Sequence, residues 1–274
     1  MSTPVETRPG TAAAAVDRAK AQDRAALVAY LPVGFPDVDT SIAAAKAAVA
    51  GGADVVELGL PYSDPTMDGP TIQRAAEVCL ANRTRPSDVL RAVEAVAATG
   101  AAVLVMTYWP PVDRYGVDRW AADLAGAGGA GLITPDLIPD EAGAWVAASD
   151  AHDLERVFLV APSSTDARLA MTAAACRGFV YAASLMGVTG TRASVGAGAS
   201  ELVRRTRAAG AERVCVGLGV STPAQATEVA GYADGVIVGS AFVQRMLDAD
   251  STAAGVRAVG ELAEALAAGV RTRP

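Results

Sequence analysis

A single histidine, His152, and three widely spaced cysteines, Cys79, Cys176 and Cys215, are the only nitrogen and thiol metal ligands among 274 residues. No CxxC pair occurs, and an odd number of separated thiols makes no disulfide framework; the pattern fits reduced, mostly buried thiols in a cytosolic protein. A zinc site calls for more ligands than this. His152 lies in the polar run SDAHDLER and reads as a loop or helix-cap residue, not a base. Aromatic residues make up only 5%, so a core must come from Ala, Val, Leu and Ile, which the 51% hydrophobic content supplies. Basic charge is also short. With 23 Lys and Arg against 30 Asp and Glu, the net charge of −7 argues against nucleic acid, whose phosphates demand a basic surface. A small anion remains possible, because backbone amides can hold one locally. No apolar run of about 18 residues is present to span a membrane, and no secretory leader pattern opens the chain. The expectation is a soluble, cytoplasmic protein with no metal and no membrane or nucleic-acid partner.

What the chain does have is alternation. Apolar, strand-like runs at residues 26–31, 54–58, 102–106, 131–134, 157–160, 178–182, 214–218 and 235–238 alternate with Ala-rich helical segments at 40–50, 86–98, 118–127, 140–148, 165–175, 200–209, 223–230 and 240–268. The strands are continuously apolar, as burial on both faces of a parallel sheet requires. Eight such units, of about 30 residues each, predict a (β/α)8 TIM barrel more readily than an open doubly wound sheet. A further helix at residues 12–21 precedes the first strand and would cover one end of the barrel. The polar opening, MSTPVETRPG, reads as a flexible tail, so the expected division is a tail over 1–11 and one barrel domain over 12–274.

The segment ELGLPYSDPTMDGPTIQ, residues 57–73, carries the candidate chemistry. Glu57 sits near the end of the second strand and Asp68 in the turn-rich loop after it. A carboxylate in an apolar strand is costly to bury unless something pairs or uses it. Two acids in unlike environments suit general acid–base work, since one can keep its proton while the other loses it. The bland alternative is one structural acid and one exposed loop acid. Placement favours function: in a parallel barrel the reactive groups lie at the C-terminal strand ends. Tyr181 lies near the end of the sixth strand as well.

Glycines then gather where the sixth, seventh and eighth strands end: Gly187 and Gly190 in GVTGTR, Gly217 and Gly219 in GLGVSTP, and Gly239 with Ser240 in VGSA. Glycine lets backbone amides approach an anion, and a helix starting at Ser240 would add unpaired N–H groups. Each glycine alone could serve a tight turn. Together they suggest a phosphate site; without GxxxxGK[ST] or GxGxxG, a phosphorylated metabolite fits better than a nucleotide. Residues 185–199, rich in small side chains, read either as a loop closing over ligand or as a plain surface loop.

These motifs, in order, resemble the tryptophan synthase alpha chain family. ELGLPYSDPTMDGPTIQ is similar to its signature segment. YLPVGFPD, MTYWPP, PDLIPDEA, RGFVYAASLMGVTG, VGLGVSTPAQA and VIVGSAFVQ are similar to family segments in the same sequence, from about residue 26 to 245. The resemblance implies a carbon–carbon lyase that cleaves indole-3-glycerol phosphate to indole and glyceraldehyde 3-phosphate without a cofactor or metal. It implies that Glu57 shuttles protons at indole C3 and the glycerol hydroxyl, that Asp68 accepts or stabilises the indole N–H, and that Tyr181 positions Glu57. Gly190, Gly219, Gly239 and Ser240 match phosphate-holding positions. Tyr30, Met106 and Tyr108 match the pocket around the indole ring, and Thr189 matches a residue closing against the loop of Asp68; for Met106 and Tyr108, plain core packing is the other reading.

The resemblance also implies a partner, a pyridoxal-phosphate beta chain joined in an αββα heterotetramer that turns the indole into L-tryptophan, with the cofactor in that chain only. Residues 61–70 and 136–139 match the face that meets it. Phe35, Pro110, Leu185 and Met186 depart from the common family residues Asp, Asn, Arg and Ser, which bears on coupling between chains but not on the proton transfers. Alternatives are a stand-alone lyase releasing free indole, a non-catalytic activator of the beta chain and, more distantly, a phosphosugar isomerase or epimerase barrel.

Overall fold

Among the described residues nine short parallel strands form one sheet: β1 Ala26–Pro32, β2 Val55–Gly59, β3 Ala102–Met106, β4 Gly131–Ile133, β5 Glu155–Val157, β6 Leu159–Val160, β7 Val180–Ala183, β8 Val214–Gly217 and β9 Gly235–Val238. In this computed structural model residues 10–183, 195–217 and 219–272 are described. The spatial order is β5-β4-β3-β2-β1-β9-β8-β7-β6. The two strands at the ends of that order, β5 and β6, are separated in the chain only by Phe158, so the sheet curls into a TIM barrel that closes through this residue.

One strand had been expected over residues 157–160, and the structure divides it. β5 pairs with β4, and β6 pairs with β7. At the crossing, the Phe158 N–H donates to Cys176 Sγ at 3.4 Å, and its carbonyl accepts the Tyr181 N–H at 3.1 Å. The fifth barrel position is thus one chain segment serving two neighbours in turn.

Alternation along each strand sorts side chains into two cores. Leu27, Ala29, Val56, Leu58, Val103 and Val105 face the surrounding helices. Ala26, Val28, Val55, Leu104, Ile133, Val157 and Ile237 fill the barrel, packed from below by Ala12, Ala15, Val16 and Ala19 of the helix Ala12–Ala21. That helix closes the N-terminal end of the barrel. Thr11, expected in the tail, is its buried N-cap and accepts the Ala14 N–H at 3.2 Å. The carboxylate of Glu155 accepts the N–H groups of Ala12 and Ala13 at 2.7 and 2.8 Å, satisfying two of the donors a helix start leaves free.

Three helical features differ from expectation. The helix Pro70–Ala81, behind N-cap Gly69, and the helix Trp109–Tyr115 occupy stretches rich in proline. Proline at the first helical turn is favourable, because its missing N–H has no partner there anyway. Asp136, from the loop after β4, accepts the Trp109 N–H through both carboxylate oxygens, at 2.8 and 3.1 Å. The expected helix over 240–268 is two, Ser240–Leu247 and Thr252–Arg271; Ser251 starts the second by accepting the Ala254 N–H at 3.2 Å. Among the described residues no helix is long and apolar enough to cross a membrane.

Candidate active site

Glu57 is the third residue of the five in β2, one step deeper than expected from the sequence. Val56 and Leu58 point outward, so alternation turns Glu57 into the barrel beside Val55. Its register partners are Tyr30 on β1 and Leu104 on β3. The side chain is 0% exposed, and among the described residues neither carboxylate oxygen has a hydrogen-bond partner. Burial without compensation pushes its pKa up to about 8. At neutral pH this group therefore holds its proton.

Asp68 lies in the loop between β2 and the helix Pro70–Ala81, half-buried. Burial raises its pKa, and a hydrogen bond from Tyr108 partly offsets the rise. The two acids therefore sit in unlike settings, as acid–base chemistry requires. Both line one hollow of about 220 Å³ at the C-terminal ends of the strands, together with Tyr30, Met106, Tyr181 and Ile72.

Gly217, Gly219, Gly239 and Ser240 form another part of the wall of this hollow. Gly219 has φ +67°, a left-handed backbone that glycine adopts readily. Ser240 opens the helix Ser240–Leu247, whose first amides and dipole favour an anion.

Two glycines, Gly59, which the sequence reading passed over, and Gly217, which it assigned to the phosphate corner, clear space for the tyrosines. A β-carbon on Gly59 would overlap the Tyr30 hydroxyl, and one on Gly217 would stand 2.5 Å from the Tyr181 hydroxyl. Each tyrosine leans across the glycine of the following strand, from β1 onto β2 and from β7 onto β8. A glycine two residues beyond Glu57 inside a strand was the readable signal of such a close approach. Desolvation holds both phenols well above their ordinary pKa, so both are neutral hydroxyls. Glu57 raises the pKa of Tyr181 further, consistent with Tyr181 as its neighbour.

The sequence reading put Tyr108 in the indole pocket. Tyr108 lines a small cleft of about 20 Å³ that shares Tyr30, Met106 and Asp68 with the hollow, beside Pro61 and Tyr62. Thr189 and Gly190 lie outside the described residues, as does the rest of the expected loop up to residue 194; its last five residues, 195–199, instead begin the helix Val195–Ala208. Leu159, Ala183 and Met67 also line the hollow, unforeseen. Among the described residues no cluster of three or more His, Cys, Asp or Glu could hold a metal.

A larger hollow of about 360 Å³ lies at the opposite end of the barrel, bounded by Thr11, Glu155, Arg177 and Arg213. Its charges are already engaged. Arg213 pairs with Asp17 at 2.7 Å, Arg177 with Asp150 and Asp153 at 2.9 and 2.8 Å, and Glu155 with the N-terminal helix. That end reads as structural, and the acid without a partner among the described residues lies at the other end.

The family model for the tryptophan synthase alpha chain matches residues 16–271. A tryptophan synthase alpha chain from Thermobifida fusca is 64% identical over 256 residues, 92% of this chain and 95% of that protein. One from Mycobacterium avium is 60% identical over 251 residues, 92% of this chain and 91% of that one. An open form of tryptophan synthase from M. tuberculosis superposes with TM-score 0.88 at 53% identity, covering 95% of this chain and 98% of that one. The alpha chain from Legionella pneumophila superposes at 0.85 with only 30% identity, covering 94% and 96%. Matched along nearly its whole folded length in both sequence and shape, the chain belongs to the tryptophan synthase alpha chain family.

Proposed function

We propose that this chain is the enzyme subunit that cleaves indole-3-glycerol phosphate to indole and glyceraldehyde 3-phosphate, a retro-aldol carbon–carbon lyase reaction. The observation that carries the reading is Glu57: a fully buried carboxyl with no hydrogen-bond partner among the described residues, protonated at neutral pH, facing a hollow that also holds Asp68.

In this mechanism the neutral Glu57 gives its proton to indole C3. The ring nitrogen loses its proton toward Asp68, leaving an indolenine. Glu57, now a carboxylate, takes the proton from the glycerol hydroxyl next to the scissile bond. The C–C bond breaks, the oxygen becomes the aldehyde carbonyl, and the bonding electrons return to the ring as its nitrogen regains a proton from Asp68. Protons and electrons balance with no outside reagent. Each positioned transfer supplies on the order of 10²–10⁴ in rate.

Tyr181 orients Glu57 as a neutral hydroxyl. Tyr30, Met106 and Ile72 form the apolar walls for the ring. Gly219, Gly239 and Ser240 hold the phosphate through backbone amides; by the family match Gly190 shares that role and Thr189 acts against the loop of Asp68. The indole passes to a beta chain in an αββα assembly, and pyridoxal phosphate resides in that partner. Membership of a family whose solved relatives include whole tryptophan synthase supports the pairing. We place the protein in the cytoplasm, with one barrel domain from residue 12 onward behind a tail.

The test is direct. Purified chain incubated with indole-3-glycerol phosphate should release indole and glyceraldehyde 3-phosphate in equal amounts, faster when a beta chain is added. Absence of indole under both conditions overturns the reading.

A further inference from the structure

Tyr108 stands at the end of the loop after β3, as N-cap of the helix Trp109–Tyr115, yet it grips the loop after β2. Its ring lies 5.2 Å from that of Tyr62, centroid to centroid, at a tilt of 32°. Its hydroxyl oxygen accepts the backbone N–H groups of Thr66 and Met67 at 3.1 and 3.0 Å, and donates to the Asp68 carboxylate at 3.3 Å. A phenolic hydroxyl offers two lone pairs and one proton. These three partners use all of it.

The three bonds are not equal. Both backbone bonds have ordinary N–H···O lengths, whereas the bond to Asp68 is stretched past the usual O–H···O range of about 2.5–3.0 Å. Gln73 Nε2 donates to the Asp68 carbonyl at 2.8 Å and secures the far side. The backbone around Asp68 is thus held firmly on both sides, while its carboxylate is held loosely enough to turn toward a ligand.

We propose that Tyr108 is a positioning residue for the cleavage reaction: its hydroxyl fixes the backbone of Thr66 and Met67 and so presents Asp68 to the hollow, a role distinct from forming a wall around the indole ring. The inference rests on the assignment of Asp68 made above. It also accounts for Tyr108 lining the small adjoining cleft while Asp68 borders both spaces.

Tyr108→Phe keeps the ring against Tyr62 and removes one oxygen, so melting temperature should stay close to that of the unmodified chain. In the ligand-free protein, amide hydrogen exchange at Thr66 and Met67 should quicken. The Asp68 carboxyl, followed by NMR, should titrate at higher pH, because the lost bond favoured its charged form. In turnover with indole-3-glycerol phosphate, kcat should fall about 10–100-fold through misplacement of the acid while KM changes little. Unchanged exchange at the two amides, or a raised KM at constant kcat, overturns the proposal. If the unmodified chain releases no indole, the function reading fails, and the exchange and titration results, measured without substrate, still decide the role of Tyr108.

Discussion

Tyr181 and Gly217 compete for the same space. A β-carbon on the glycine would stand 2.5 Å from the tyrosine hydroxyl and 2.8 and 2.9 Å from two of its ring atoms. The bare backbone of β8 is what lets the ring lie across the strand and border the hollow.

Gly217→Ala should therefore destabilise the chain by about 1–3 kcal/mol, as overpacking does, and lower turnover by displacing Tyr181. Combined with Tyr181→Phe, which removes the nearest atom, the cost should be smaller than the sum of the two single changes. Urea unfolding of the four proteins in the cycle measures this; simple additivity would contradict the crowding.

Glu57→Gln preserves shape and removes the ionisable group. Turnover should drop by roughly two to four orders of magnitude, with the circular dichroism spectrum unchanged. Near-normal indole release would refute the assigned role.

The raised pKa of Glu57 has two consequences with the same sign. As proton donor it must start neutral, so kcat/KM should fall as pH rises through about 8. For stability, the folded chain keeps this proton at pH values where the unfolded chain has lost it, above the ordinary value of 4.5. Stability linked to Glu57 is thus fully present below 4.5 and is lost as pH rises through about 8. Glu57→Gln lacks that loss, so its melting temperature relative to the unmodified chain should climb from pH 5 to pH 9. Glu155, pushed up to about 7, is common to both proteins and cancels in the difference. A difference flat with pH would mean that Glu57 is not buried neutral.

Much of this was legible in the chain itself. The alternation of apolar runs and Ala-rich segments follows directly from a sheet buried on both faces, and a lone Glu among ADVVEL is conspicuous because an apolar strand has no ordinary use for a charge. The helix Pro70–Ala81 was hidden by MDGP, where glycine and proline resembled loop chemistry although proline suits a first helical turn. The break at Phe158 could not be read, since it depends on which neighbours each half pairs with and not on any breaker residue. Nor could the grip of Tyr108 on Thr66 and Met67, because local patterns carry no information about a contact some forty residues away.

Asp68→Asn should lose most of the turnover while unfolding at nearly the same urea concentration, because the side chain is half-exposed and its bond to Tyr108 is long. Parallel activity and denaturation curves test this; a large loss of stability would recast Asp68 as structural.

At the other end of the barrel, Glu155→Ala strips the acceptors from the Ala12 and Ala13 N–H groups. Two buried donors left without partners should cost about 2–5 kcal/mol. The hollow holding Glu57 lies at the opposite mouth, so turnover at low temperature should persist. Loss of activity without loss of stability would link the two ends.

No lysine or arginine is among the described residues bordering the hollow, and two acids are. On a chain carrying a net −7, a doubly charged phosphate ester approaches uphill until it reaches the amides near Gly219 and Ser240. Added salt should accordingly hasten its arrival by screening like charge, the reverse of electrostatic steering. Such a mouth selects for molecules that fit once inside, and it does little to gather anions from a distance.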